Sequence, residues 1–171
     1  MRVADILEAQ NFTTTTVALV TSELNEAVNV MSAEWTLRVS IEDFLIAAFV
    51  GYERETYRMI HSSGEFGISY CSDDQGYLAH VAGNYSFKSH DKFKLAKFNT
   101  FPSKHIKPPL IEGCISNFEC KVIDEFKTGD HAAFIGKVLA GYYDSEKKPL
   151  VFHKGKFHHI GGKMAYDHPF D

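Results

Sequence analysis

The sequence predicts a mainly β fold, an antiparallel barrel with a few short peripheral helices. Three stretches carry that prediction. In CISNFECKV, 114–122, Cys114, Ser116, Phe118, Cys120 and Val122 take one face and Ile115, Asn117, Glu119 and Lys121 the other. That is the period of a half-buried strand. FLIAAFV, 44–50, is apolar throughout, which suits a strand covered on both sides. HAAFIGKVLAGYY, 131–143, reads as a long strand that begins apolar on both faces. Antiparallel strands joined by short turns favour a closed barrel, which removes edge strands, although a sandwich would share the same periodicity.

The other elements follow in chain order. Residues 3–9 suit a short helix, and TTTTVALVTS, 13–22, is a strand rich in β-branched residues. ELNEA, 23–27, is a polar turn and VNVMSA, 28–33, returns to extended structure. After GYERET, 51–56, the stretch TYRMIHSSG is a short helix with Tyr57 and Ile60 on one side and Gly64 as its stop. EFGISYC, 65–71, is a strand, and DDQGYLAHVAG, 73–83, a short helix starting at an Asp cap. Pro102, Pro108 and Pro109 mark 84–110 as a mixed surface segment. DSEKK, 144–148, is a turn, and PLVFH with KFHHI forms a closing hairpin over 149–160, turning at Lys154-Gly155. No repeat or low-complexity linker interrupts the chain, so residues 1–171 read as a single domain.

The composition narrows the function. Hydrophobic residues are 44% and charged residues 23%, the balance of a soluble globular protein. The net charge of −4 comes with interspersed signs and no basic block, which argues against nucleic acid as partner and requires any anionic ligand to be held locally. Asp5 and Glu8 interrupt any signal-peptide core, and no apolar run reaches membrane-spanning length. Cys71, Cys114 and Cys120 contain no CxxC. Cys114 and Cys120 are expected on one strand, pointing the same way, about 20 Å apart and beyond disulfide reach. All three read as reduced thiols of a cytoplasmic protein, filling a core.

Three stretches are candidates for chemistry. In GYERETYRMI, Arg54 and Thr56 stand at a helix start, where unpaired N–H groups and partial positive charge suit a phosphate; a capped surface helix is the competing reading. NVMSAEWT, 29–36, holds the only Trp beside small and polar residues that suit a flat heterocycle, or an ordinary strand with Trp35 in the core. Nine histidines, with His153, His158, His159 and His168 crowded near the C-terminus, raise a metal, but adjacent His158 and His159 point to opposite faces of a strand and no ligand spacing follows. We therefore expect no metal site. GxSxG, GxGxxG and GxxxxGK[ST] are all missing from the sequence.

Taken in order, VALVTS, NVMSAEWT, RETYRMIHSSGEFGIS, SFKSHDKF, IEGCISNFEC, GDHAAFIGKV and PLVFHKGKF resemble the flavin reductase-like family of FMN-binding split β-barrels, in particular its flavoredoxin-like members. The resemblance spans residues 12–160. It departs before the third strand, where Glu42-Asp43 replaces a Pro-Pro-like step. It implies a homodimer with FMN near the interface. It also implies that Asn29, Val30, Met31, Ser32, Ala33, Trp35 and Thr36 line the flavin ring, and that Arg54, Thr56 and Tyr57 hold the phosphate. Lys88 and Ser89 would approach the flavin from the partner subunit, and His131 would stand by the flavin or nicotinamide as the catalytic candidate. The implied activity is NAD(P)H-dependent flavin reduction, with hydride passing from NADH or NADPH to flavin and electrons onward to a small-molecule or protein acceptor. The alternative is a non-catalytic FMN-binding electron carrier or sensor.

Overall fold

The computed structural model describes residues 5–162. Along the chain lie α1 (Ile6–Ala9), a 3-10 turn (Gln10–Phe12), β1 (Thr14–Thr16), β2 (Ala18–Leu24), β3 (Ala27–Ala33), β4 (Thr36–Arg38) and β5 (Leu45–Gly51). Then come α2 (Glu55–Ser63), β6 (Glu65–Tyr70), α3 (Gly76–Asn84), α4 (Lys92–Ala96), β7 (Thr100–Phe101) and β8 (Leu110–Ile111). The chain continues through β9 (Ser116–Thr128), β10 (His131–Tyr143), β11 (Leu150–His153) and β12 (Lys156–His159).

Seven strands form one curled antiparallel sheet in the order β3-β2-β6-β9-β10-β5-β4. Its two edge strands, β3 and β4, are consecutive in the chain with only Glu34 and Trp35 between them. The wall therefore closes through a covalent bend and not through a ladder of hydrogen bonds, and the barrel is split there. The expected mainly β split barrel with short peripheral helices is the fold observed.

Both faces of the chain are covered where β2 begins, which explains the apolar run from Val17 to Val20. Ala18 and Val20 join the barrel interior with Ile46, Val50, Phe66, Ile68 and Phe134. Val17 and Leu19 instead join an outer cluster with Ala79, Ala82, Phe98 and Leu150, packed under α3. Each large side chain so buried contributes about 1.5–3 kcal/mol. Gly136 makes room in the interior, since a Cβ there would lie 2.6 Å from Phe66 Cζ. Irregularities at Ile135/Gly136 and Val138/Ala140 bend the long β9–β10 hairpin.

Two of the hairpin turns, β2–β3 and β11–β12, adopt left-handed backbone at both central residues. Asn25 and Glu26 have φ of 51° and 65°, and Lys154 and Gly155 have 51° and 71°, the signature of tight two-residue turns. Gly64, at φ 71°, ends α2 as expected.

Several expectations are corrected. TTTTVALVTS is two strands, because the chain changes sheets at Val17, whose N–H donates to Leu150 O at 3.3 Å. β1 pairs with β11 in a separate sheet β1-β11-β12, so the C-terminal hairpin packs outside the barrel and does not close it. Helix α3 starts at Gly76 without an Asp cap; Asp74 accepts from Lys147 Nζ at 2.8 Å and Asp73 faces His159 Nδ1 at 3.1 Å. The mixed segment contains α4, capped by Asp91, which accepts from Lys94 N. Cys114 precedes β9 and joins the outer cluster, whereas Cys120 faces the interior, so the two do not point the same way. Cys114 instead meets Cys71, and that contact, with burial, pushes the Cys71 thiol well up. All three cysteines are buried and unpaired.

The face of β9 expected to be wet is covered too. Glu119 is fully buried. Its carboxylate accepts from Lys104 N at 3.0 Å, His105 N at 2.6 Å and Tyr142 Oη at 2.9 Å. Burial pushes this carboxyl up, but these donors outweigh it and hold it below the usual carboxylate range.

Candidate functional site

A cavity of about 420 Å³ opens at the split in the wall. One side is the outer edge of β3 with the Glu34–Trp35 bend. The other is formed by the start of α2, the end of α3 and the segment that follows. Helix α3 comes close to β3 because Gly83 has no side chain; a Cβ there would lie 3.4 Å from Ser32 Cβ.

One end of the cavity is cationic. Arg54 is the N-cap of α2, with φ −78° and ψ 138°, and no side chain caps the first turn. Thr56 and Asn29 are buried behind it at 1% and 3% exposure. Asn29 Nδ2 donates to Thr56 Oγ1 at 2.9 Å, while Asn29 Oδ1 has no partner. Lys92 is also buried, and its Nζ donates to Val30 O at 2.6 Å and Ala82 O at 3.2 Å. Burial, with the nearby Arg54 charge, brings Lys92 down to about 8. Among the described residues neither Arg54 nor Lys92 pairs with a carboxylate. A buried cation without a counter-charge is costly, and an anionic group entering here would remove that cost.

The opposite end carries Trp35 and His131. Their ring centroids are 4.8 Å apart with a 50° tilt. His131 opens β10 and pairs in register with Gly51. Its Nδ1 donates to Asp130 Oδ1 at 2.6 Å, and that bond holds the Asp130 carboxyl below its usual range. In the neutral ring, that tautomer leaves Nε2 as the acceptor nitrogen. It stands over Gly51, where a Cβ would lie 3.7 Å away. Between the ends runs the open edge of β3. Val30 directs its carbonyl outward to Lys92, so Ser32, two residues on, directs its own N–H and C=O the same way.

Trp35 and His131 also border a second, largely apolar cavity of about 560 Å³ with Thr14–Thr16, Leu37 and Phe49. Among the described residues no group of three or more His, Cys, Asp or Glu could hold a metal ion; His168 lies outside them. No helix there is long and apolar enough to cross a membrane.

The structure brings Asn29, Met31, Ser32, Ala33, Trp35, Arg54, Thr56, Lys88 and His131 to the first cavity. Four expected residues lie elsewhere. The Val30 side chain points into the outer cluster under α3, and Thr36 borders the second cavity. Tyr57 turns away to Glu125 and stacks on His61. Ser89 bonds to Ser86 O and His90 and lines a neighbouring cavity. Lys88 reaches the cavity of its own chain. The sequence reading missed Lys92, Gly51, Phe49 and Gly83. Nothing in SFKSHDKF marks Lys92, a lysine in a charged segment, as one whose ammonium is buried.

A cleft with a cationic phosphate-sized end and an aromatic rim, set in a split barrel, defines the class of protein. Residues 11–161 match the flavin reductase like domain. The chain belongs to the flavin reductase-like family and is an oxidoreductase. It is 31% identical over 141 residues to an uncharacterized protein of Archaeoglobus fulgidus, covering 81% of this chain and 80% of that one. It is 27% identical over 136 residues to an NADH-dependent flavin reductase of a Rhodococcus species, covering 79% and 72%. The structure of the flavin reductase PheA2 superposes with a TM-score of 0.80 at 26% identity, covering 94% of this chain and 100% of that one.

Proposed function

We propose that the protein is an NAD(P)H-dependent flavin reductase that binds FMN in the first cavity. The observation that carries this reading is the polarity of that cavity: Arg54 and Lys92, with no carboxylate partner among the described residues, beside the unpartnered Asn29 Oδ1 at one end, and the Trp35–His131 rim at the other. The volume suits a mononucleotide-sized ligand. Bound flavin would supply hydride acceptance and onward electron transfer.

The chain's own residues bind and orient. Arg54 and Lys92 neutralise the phosphate while Thr56, already an acceptor for Asn29, donates its hydroxyl proton. The outward groups of Ser32 hydrogen-bond the polar edge of the ring. His131 presents Nε2 at the rim, able to accept a proton there, with Asp130 fixing its tautomer. The apolar second cavity admits the neutral nicotinamide ring of NADH or NADPH past Trp35. The reduced flavin then serves a small-molecule or protein acceptor. The protein acts as a cytoplasmic homodimer; half-exposed Trp35, Leu37, Ile123 and Phe126 offer apolar surface for a second copy.

Trp35, the only tryptophan, gives a direct test. FMN should quench its fluorescence saturably, and Arg54→Ala should weaken FMN binding by tenfold or more. Bound FMN should then bleach anaerobically with NADH or NADPH. Flavin that binds but stays oxidised with both nicotinamides would leave a carrier or sensor and refute the reductase reading.

A further inference from the structure

We propose that Cys71 and Cys114 are a modification site: oxidised by hydrogen peroxide, they close into a disulfide that ties off the chain segment forming the outer wall of the first cavity. The assignment stands whether or not that cavity takes a flavin.

The fold brings the two thiols to one place. Both lie in the outer cluster under α3, at 1% and 4% exposure. The β6–β9 ladder ends at the pair Tyr70 and Ser116, and just beyond it Ile115 N donates to Tyr70 O at 3.0 Å. Cys71 and Cys114 are the next residues out on the two sides of that bond. Their side chains meet beside Gln75. Cys114 Sγ donates to Gln75 Oε1 at 3.1 Å, and the same oxygen accepts from Ser72 N, the amide next to Cys71, at 3.1 Å. The Cys71 thiol hydrogen-bonds to the Cys114 sulfur. Cys71 is pinned on both sides, its N–H donating to Val17 O at 2.9 Å and its C=O accepting from Leu150 N at 3.0 Å. Cys114 follows Gly113, a turn residue at φ 76°, so it is the partner free to adjust to disulfide geometry. Cys120 takes no part, because its thiol faces the barrel interior.

The chain between the two cysteines gives the link its consequence. Residues 72–113 carry α3, α4, Lys92 and the 82–88 wall of the first cavity. Gln75, the acceptor for Cys114, is also the N-cap of α3. A disulfide joins the two ends of this segment and restricts it in the unfolded chain.

Burial bars bulky oxidants from both thiols, which selects a co-reactant as small as hydrogen peroxide. The Cys114 sulfur attacks one peroxide oxygen, the O–O bond breaks, and the thiol proton leaves with the other oxygen as water. Cys114 is then a sulfenic acid. The Cys71 sulfur next displaces that oxygen. The S–S bond forms, the S–O bond breaks, and the Cys71 proton departs with the oxygen as a second water. Two thiols and one peroxide thus give one disulfide and two waters, the two electrons passing from sulfur to oxygen. Burial and the Cys114 contact keep Cys71 protonated, which suits it to the second step and not the first.

The full chain, without flavin, is treated with hydrogen peroxide, then denatured and alkylated with iodoacetamide in the absence of reductant. The intact mass should show one alkylated thiol, against three in a control kept in dithiothreitol. A non-reducing digest should join the peptides that carry Cys71 and Cys114 and leave Cys120 alkylated. The oxidised protein should melt about 5–10 °C above the same sample re-reduced with dithiothreitol. Cys71→Ala should block the disulfide and leave Cys114 open to dimedone, which traps sulfenic acids; if that variant fails to fold, the masses of the unmodified chain decide. Three alkylatable thiols at a peroxide dose that oxidises methionine, a bridge to Cys120 or between chains, or an oxidised form that melts no higher overturns the assignment.

Discussion

Lys92→Met isolates an unusual pH dependence. Burial and Arg54 bring the Lys92 ammonium from 10.5 down to about 8 in the fold. The unfolded chain keeps the ordinary value, so between the two the unfolded state holds a proton that the folded state has released. Stability therefore rises as pH increases from about 8 to 10.5. Below that window the folded protein carries the buried charge, and the shift corresponds to a penalty of about 3 kcal/mol at its limit. At 6% exposure the site is little screened by solvent. Urea unfolding of ligand-free protein across the window should show the wild type gaining up to about 3 kcal/mol relative to Lys92→Met. FMN binding inside the same window should take up a proton, seen as a buffer-dependent binding enthalpy, because a phosphate beside Lys92 restores its charge. A constant wild-type-to-variant difference across the window would refute the reasoning, since Lys92 would then titrate alike in both states.

Two further predictions follow from other parts of the fold. Glu119→Gln should cost about 2 kcal/mol in urea unfolding at neutral pH, because hydrogen bonds to a charged acceptor are each worth about 1.5–3 kcal/mol. The folded carboxyl is held low, so its contribution is present above the ordinary Glu value and fades as pH falls through the folded value; the difference between the two proteins should shrink on acidification. His131→Ala should leave the melting temperature nearly unchanged, because His131 is a half-buried rim residue, but should alter the rate of flavin reduction or reoxidation in stopped-flow mixing. Unchanged kinetics would return His131 to a turn role.

Much of the wall was legible because strand periodicity is local. FLIAAFV, HAAFIGKVLAGYY and EFGISYC became β5, β10 and β6 within a residue or so. What failed depended on long-range coverage. Glu119 looks wet in a strand pattern, and only the return of residues 104–105 over it makes it buried. TTTTVALVTS looks like one strand because nothing local reveals that β1 belongs to β11. The site divides in the same way. The positions of Arg54 and Thr56 at a helix start, and of His131 at the corner before a strand, were readable locally. Tyr57 was misplaced because α2 rotates it toward Glu125. Lys92 was missed because a lysine in a charged surface segment gives no sign that its ammonium will be buried against Val30 and Ala82.

The bend at Glu34–Trp35 has a consequence for how this protein would fail. A single backbone cut there severs the only covalent link between the two edges of the seven-stranded sheet. Few ladder bonds are lost, chiefly that from Phe49 N to Trp35 O at 3.0 Å, so the nicked chain would keep its secondary structure. The two strand edges, already without ladder partners, would no longer be tethered side by side, and each would become a freer template for adding strands from other molecules. Limited proteolysis at the bend should therefore be followed by association of folded, nicked chains before any loss of β structure.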